Sequence, residues 1–362
     1  MARLGGDEFA VLLHGVDNHQ QAHAIVQRIQ HSLAKPLQLE LQEVFTSVSI
    51  GITHSSNLYQ HSEELLRDAD TAMYRAKAHG RGGYVVFDET MHKQVQSRLW
   101  LGNSLRYAVK ALEQGEYQFQ LQYQPIFCLQ QQQVIGFEAL LRWHHPQQGL
   151  ISPEKFIPIA EETGLIVPLG QWVLEQACHQ LARWFGEFQA PVSMSINVSS
   201  QQFLQPDFVS NIQSLLKAHQ LPGELLKLEI TESMLMETTD LVTDRLEQLQ
   251  KLGLMLSLDD FGTGYSSLNY LHNLPINTLK IDRSFVWGIS QGQDQIVKTI
   301  IALAHGLEMN VVAEGIETVE QAQYLNHLGC ELGQGYWFAR PLEPDAAKQW
   351  LLTLFSQSNL RT

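Results

Sequence analysis

The sequence predicts an α/β protein whose larger part is a (β/α)8 barrel, and three observations predict it. From residue 117 onward, strand-like and helix-like segments alternate, giving eight strands in about 240 residues, the count and size of such a barrel. Along those strands, charged and amide residues recur on the phase opposite the aliphatic series, near the C-terminal ends. One strand, at 254–260, ends in two adjacent aspartates and runs into a loop with two glycines. A smaller α+β region precedes the barrel.

The chain has 362 residues, 44% of them apolar, enough for two domains and a sizeable core. The formal net charge is −14, which argues against holding long DNA or RNA by its phosphates. Cys128, Cys178 and Cys330 are scattered without CxxC spacing, so neither a zinc site nor a disulfide framework is expected, and a reducing cytoplasm suits them. No long apolar run marks a membrane segment, and the first residues do not read as a signal peptide.

In order along the chain, Gly5-Gly6 between short apolar runs reads as a hairpin, with Asp7 and Glu8 following as candidate metal ligands. Taken alone, Gly-Gly-Asp is also ordinary turn chemistry. A helix is expected at 18–34, strands at 37–41 and 44–53, a serine-capped helix at 62–80 and a last strand at 85–87. Residues 1–88 form this first region. Residues 89–116 read as a helical linker with Val95, Leu99, Leu105, Val109 and Leu112 on one face and Gly115 as its C-cap. Residues 117–355 form the barrel and 356–362 a tail. Barrel strands are expected at 119–126, 134–142, 192–198, 226–231, 255–259, 278–282, 310–314 and 333–337. Helices are expected at 153–163, 169–188, 206–219, 240–252, 294–307 and 318–328.

The polar phase carries the functional argument. Glu138 and Arg142 oppose Ile135, Phe137, Ala139 and Leu141; Ser195 and Asn197 oppose Met194, Ile196 and Val198. Lys227 and Glu229 oppose Leu226, Leu228 and Ile230; Thr278, Lys280 and Asp282 oppose Leu279 and Ile281; Glu314 shares a phase with Val312. Each alone has a bland explanation, such as a surface charge, a strand-end amide or a helix cap. Asp259-Asp260 alone is equally a metal site or a polar turn in which Asp260 caps a short helix, with Gly262 and Gly264 giving the backbone its freedom to turn. Repeated on six strands, the pattern points to one cluster at the C-terminal end of the barrel. So many carboxylates with one lysine and one arginine need cations. The donors Glu138, Asn197, Glu229, Asp259 and Asp260 are hard oxygens that suit Mg²⁺ or Mn²⁺, with two ions expected.

Two families are recognisable in these residues. RLGGDEF at 3–9, SVSIGIT at 47–53 and ELLRDADTAMYRAKAHGRGG at 64–83 resemble the C-terminal half of a GGDEF (diguanylate cyclase) domain. That family's domain begins well before its namesake motif, so the resemblance implies a site at Gly5, Gly6, Asp7 and Glu8 without its partner ligand, and no cyclase activity. It also implies an exposed sheet edge, an association liability.

From 117 to 355 the chain resembles an EAL domain, a cyclic di-GMP phosphodiesterase on a TIM-like barrel whose first strand runs opposite to the others. The motifs are YQPI (123–126), EALLRW (138–143), SINVSSQQF (195–203), LEITES (228–233), DDFGTGYSSL (259–268), LKIDRSFV (279–286), VVAEGIET (311–318) and GQGYWFARPL (333–342). By this resemblance Glu138, Asn197, Glu229 and Asp259 hold one metal, and Asp260 and Asp282 stand at the second. Lys280 holds the attacking water and Glu314 is the general base. Gln124, Arg142 and Gln334 contact substrate or line the inner shell, while Glu232 and Glu317 hold the loop after Asp260 and link it to a dimer interface. The implied function is hydrolysis of cyclic di-GMP to linear pGpG by a homodimer. The alternative is a catalytically silent cyclic di-GMP receptor, which the intact ligand set disfavours.

Overall fold

The computed structural model describes the chain apart from residues 17–18, 40–41, 56–58, 79–81, 189–191, 237–239, 263–270, 273 and 359–362. It divides into two units, Met1–Leu101 and Gly102–Thr362.

The first unit opens with the expected hairpin, β1 (Ala2–Gly5) and β2 (Glu8–Ala10), paired antiparallel. Gly6 takes φ +52°, and Arg3 braces the turn by donating from Nε and Nη2 to the Gly6 carbonyl at 3.0 and 2.7 Å. The hairpin leaves Leu4 and Phe9 exposed. Helix α1 (His19–Leu33) follows. The single strand expected at 44–53 is two strands. β4 (Gln42–Val44) folds back antiparallel on β3 (Leu37–Leu39), and β5 (Ile50–Ile52) pairs parallel with β6 (Tyr84–Val86). The tight hairpin claims residues 42–44, so the apolar run is divided between two sheets.

Helix α2 (Ser62–Ala78) lies directly on β5, where a Cβ on Gly51 would come within 1.9 Å of the Ala69 carbonyl oxygen. The start of α2 is capped by the Glu64 carboxylate, which accepts from the N–H groups of Gln60 and His61, rather than by the expected serine. Asp68 is buried and accepts from Tyr59 at 2.8 Å, with His92 Nε2 at 2.5 Å.

Helix α3 (Glu89–Leu112) contains the boundary between the units, and Gly115 ends it at φ +76°. Its buried stripe differs from the expected one. Leu101, Leu105, Ala108 and Val109 are buried, whereas Val95 and Leu99 are exposed. One helix serves two units, so no single face runs its whole length.

The second unit is the barrel. β7 (Phe119–Cys128), β8 (Gln133–His145), β10 (Ser193–Asn197), β11 (Leu226–Thr231), β12 (Met255–Phe261), β13 (Thr278–Ile281), β14 (Asn310–Ala313) and β15 (Leu332–Gly333) form a closed ring, sealed by the β8–β10 pairing. β7 is antiparallel to both neighbours and the remaining pairs are parallel, as the resemblance implied. β9 (Gly149–Ile151) was not expected; it adds an antiparallel edge to β8.

The last strand is two residues rather than the five expected, because the backbone beyond Gly333 turns to donate from Gln334 to Ala313 and from Trp337 to Ile316. Helices α4 (Pro153–Glu162), α5 (Ile166–Phe188), α7 (Phe208–His219) and α9 (Asp240–Lys251) lie within a residue or three of expectation, with the short α6 (Ser200–Phe203) and α8 (Glu232–Met236) between them. After β13 come α10 (Arg283–Gly288), α11 (Asp294–Gly306) and α12 (Val319–His327). α13 (Pro344–Ser358) was not expected, and it takes residues 356–358 out of the expected tail.

The aliphatic phase of the strands faces the helices. Met194, Ile196, Leu226, Leu228, Ile230, Leu256, Leu279, Ile281 and Val311 are all fully buried in one continuous core. Each such side chain contributes about 1.5–3 kcal/mol by burial. The opposite phase is left to line the barrel interior.

Candidate active site

The two aspartates are aimed by a bulge. β12 pairs Leu258 with Leu279 and next pairs Phe261 with Ile281, so Asp259 and Asp260 together oppose the single residue Lys280. Such a two-against-one insertion bends the strand and redirects a side chain. The turn is made at Asp260 itself, which takes φ +54°, and continues at Gly262, φ +95°. The sequence assigned the freedom to turn to Gly262 and Gly264; Asp260 itself also takes a positive φ. Gly264 and the rest of 263–268, expected to couple the metal site to a dimer interface, lie outside the described residues.

Lys280 is the hub. Its side chain is 1% exposed, and its ammonium lies 2.6 Å from Glu314, 2.7 Å from Glu229, 3.2 Å from Asp259 and 3.7 Å from Glu138. Burial opposes the lysine's charge, but Asp259, Glu138, Glu229 and Glu314 outweigh it and hold the ammonium well above its ordinary range.

One cation does not satisfy all these acids. Burial pushes Glu229 well above the usual carboxylate range, and Glu138 and Asp259 add to it against Lys280. Burial raises Glu314 to about 8 against the attraction of Lys280, with Asp259 and Glu138 adding to the rise. Asp260 is raised by burial and by the charges of Asp259 and Asp282. Burial opposes ionisation of Glu138 too, but there Lys280 and the amide donors Gln334 and Asn197 prevail and lower it.

A chain of amides orients Glu138. Asn197 donates to Oε1 at 2.7 Å and Gln334 to Oε2 at 2.6 Å. Gln334 also donates to Gln124 at 3.0 Å, and Gln124 donates to the Ala339 carbonyl at 3.2 Å. The strand register explains the meeting, since Gln124 sits directly across from Glu138, and Ser195 and Lys227 are register partners one strand on.

The residues fit a hard divalent cation. Among the described residues, Asp259, Asp260 and Glu314 bring one carboxylate oxygen each within 4.8 Å of one another. Among the described residues no sulfur or imidazole joins them, and Glu229, Asp260 and Glu314 are held above their ordinary range by burial first and then by the charge of neighbouring acids. Glu138, Asn197 and Glu229 stand around the same lysine or one bond from it.

Asp282 is placed beside Asp260, whose charge state it affects, while one of its oxygens accepts the Ser284 N–H at 3.0 Å as the N-cap of α10. Arg142 is half-buried, with Nε donating to Gln122 at 2.8 Å. Glu232 is buried and accepts the Gly262 N–H at 3.3 Å. Glu317 is exposed, and its backbone N–H donates to Gln321, so the described contacts do not bring it to that loop. Asp7 and Glu8 are exposed on the hairpin of the first unit.

Sequence reasoning missed the support under Arg142. Gln120 and Gln122 both donate to Glu343, at 3.0 and 2.9 Å, and Gln122 holds Arg142. The alternation of glutamines at 120, 122 and 124 was the available signal. Also missed was Arg340, whose guanidinium lies 4.6 Å from the Tyr336 ring centroid.

Comparison with known proteins identifies the family of each part of the chain. The family model described as "EAL domain" matches residues 103–341, and "Diguanylate cyclase, GGDEF domain" matches residues 1–83. The chain is 42% identical over 344 residues to the bifunctional diguanylate cyclase/cyclic di-GMP phosphodiesterase MucR of Pseudomonas aeruginosa, covering 94% of this chain and 49% of that protein. It is 38% identical over 353 residues to the cyclic di-GMP phosphodiesterase NbdA of the same organism, covering 97% and 44%. The chain thus spans about half the length of these curated relatives. Among solved structures, "PaMucR Phosphodiesterase, c-di-GMP complex" superposes with a TM-score of 0.65 at 43% identity, covering 68% of this chain and 99% of that one.

Proposed function

The chain belongs to the EAL domain family, and from that premise we propose that it hydrolyses one phosphodiester bond of cyclic di-GMP to give linear pGpG. The observation that carries the reading is the buried Lys280 set among Glu138, Glu229, Asp259 and Glu314 at the barrel mouth. Relatives with this family match are named as cyclic di-GMP phosphodiesterases.

Two divalent cations, Mg²⁺ or Mn²⁺, would be held by Glu138, Asn197, Glu229 and Asp259 and by Asp260 with Asp282; when bound, they supply charge neutralisation at the phosphate and acidify water. Lys280 orients the attacking water by hydrogen bonding to its oxygen. Glu314, whose carboxyl lies 2.6 Å from the Lys280 ammonium, accepts a proton from that water in its ionised form. The new bond runs from the water oxygen to phosphorus, and the bond from phosphorus to the ribose 3′ oxygen breaks, the leaving oxygen taking a proton from solvent. Arg142, held by Gln122, presents its guanidinium fork to a phosphate. Gln334 and Gln124 keep Glu138 aimed.

Residues 1–88 make no cyclic di-GMP on this reading. Asp7 and Glu8 stand exposed on the hairpin of the first unit. The protein acts as a homodimer through the barrel, with Glu232 holding the Gly262 N–H just after β12. Cys128, Cys178 and Cys330 are free thiols, which fits a cytoplasmic setting, and no described helix is long and apolar enough to cross a membrane.

The test is incubation of the purified chain with cyclic di-GMP and Mg²⁺, with chromatography of products. The reading expects pGpG, its loss on chelation, and no turnover of GTP. Tight binding of cyclic di-GMP without product would replace it by the silent receptor.

A further inference from the structure

In the eight-stranded ring, β8 and β13 lie four strands apart in either direction, so they stand on opposite sides of the barrel. Arg142 is near the end of β8, and Arg283 opens α10 directly after β13. The acidic cluster therefore has a guanidinium on each side, and no role has been given to the second.

Arg283 is built into its place. Its guanidinium carbon lies 5.4 Å from the centroid of the Trp287 ring. The indole is fixed in turn, donating from Nε1 to the Gly315 carbonyl at 3.1 Å. Gly315 follows Glu314, takes φ +67°, and has no room for a side chain, since a Cβ there would come within 2.4 Å of the Arg283 Cβ. The arginine–tryptophan pair is thus pressed against the strand end that carries Glu314. The guanidinium pairs with Glu154 of α4 at 3.6 Å, and Glu154 is 80% exposed there. An ion pair that open is worth little and is readily exchanged.

We propose that Arg283, stacked on Trp287, is a specificity residue that reads a guanine base of the substrate. This inference rests on the reading that the substrate is cyclic di-GMP. A guanidinium lying against an indole keeps its fork of N–H donors free at the rim. The O6 and N7 acceptors of guanine match that fork, whereas adenine offers a donor in place of O6. The exposed part of the Trp287 ring gives the base an apolar surface to rest on. Arriving guanine takes the fork from Glu154. With Arg142 on the far side, the two halves of the dinucleotide meet different partners, which places one phosphodiester over the acids.

The test compares wild type, R283A and R283K with cyclic di-GMP and cyclic di-AMP, reading KM and kcat with Mg²⁺ and equilibrium binding of both nucleotides. In R283A, KM for cyclic di-GMP is expected to rise about ten- to a hundredfold, the range carried by one bidentate guanidinium–guanine pair. The preference for guanine over adenine should fall by the same factor. R283K should fail to restore that preference, because an ammonium lacks the fork. Equal weakening of both nucleotides with rescue by lysine would mean a phosphate contact and overturn the inference, as would unchanged preference in R283A. Absence of wild-type turnover would sink the phosphodiesterase reading instead, and the binding preference would still decide the role of Arg283.

Discussion

The chain contains two places where acids adjoin a glycine turn, and they came out differently. Gly5-Gly6-Asp7-Glu8 forms a hairpin whose acids are exposed, with the turn braced by Arg3. Asp259-Asp260-Phe261-Gly262 forms a bulge whose acids meet Lys280, Glu229, Glu138 and Glu314 from four other strands or strand ends. The local chemistry is alike. What separates them is convergence: a two-stranded hairpin brings nothing else to its turn, whereas a closed ring delivers one polar residue from each strand to the same place. A motif becomes a site when the topology supplies its partners.

The largest expected effect falls on that convergence. K280M removes the cation that four carboxylates share, and kcat for cyclic di-GMP hydrolysis should fall about a hundred- to a thousandfold, the scale lost when a charge-stabilising donor goes. A fall below tenfold, measured by product formation with Mg²⁺, would mean that the hub is not the working centre.

Next in size is G51A in the first unit. Its Cβ would press on the Ala69 carbonyl and the Met73 N–H at 1.9 and 2.4 Å, so α2 must lift from β5 at a cost of roughly 3 kcal/mol. Hydrogen exchange should show the first unit loosened while cyclic di-GMP turnover stays within about twofold. Equal loss of turnover would show that the barrel depends on the hairpin-bearing unit.

Asp68 tests the electrostatics of the first unit. Burial opposes its ionisation, yet the hydrogen bonds from Tyr59 and His92 outweigh burial and lower its pKa from 3.8. A depressed carboxyl contributes stability that is whole above the unfolded pKa and is lost as pH falls through the folded value. D68N should therefore cost roughly 2 kcal/mol near neutrality, and the gap from wild type should close as pH falls below about 4. Thermal melts at a series of pH values check it; a gap that widens in acid would reverse the sign.

Smaller again, Q122A releases Arg142 Nε, and KM should rise about three- to tenfold, as for one lost ordinary hydrogen bond, with kcat moving less. The smallest effect belongs to D7N and E8Q, which should leave cyclic di-GMP turnover unchanged within about twofold, since these side chains face solvent. A marked fall would erase the contrast between the two turns.

Much of this site was legible because alternation is a local property. Glu138, Glu229, Asp259 and Lys280 stand on the phase opposite buried aliphatics, and the strands kept that phase. The bulge was not legible. It depends on how many residues of β12 oppose β13, a matter of pairing between strands rather than of either strand. The helix α3 face was misread because Val95 and Leu99 belong to a helix shared by two units, each choosing its own stripe. The strand expected at 44–53 was divided because hairpin pairing competes with a longer run. Asp282 was legible as a polar strand end, while its use as the cap of α10 followed only from where the helix starts.

The most direct test of the account is D259N, compared with wild type for pGpG formation from cyclic di-GMP at saturating Mg²⁺. Asn keeps the size of Asp259 and removes its charge from beside Lys280 and Asp260. The account predicts loss of about a hundred- to a thousandfold in kcat in a folded protein. Turnover within tenfold of wild type would contradict it.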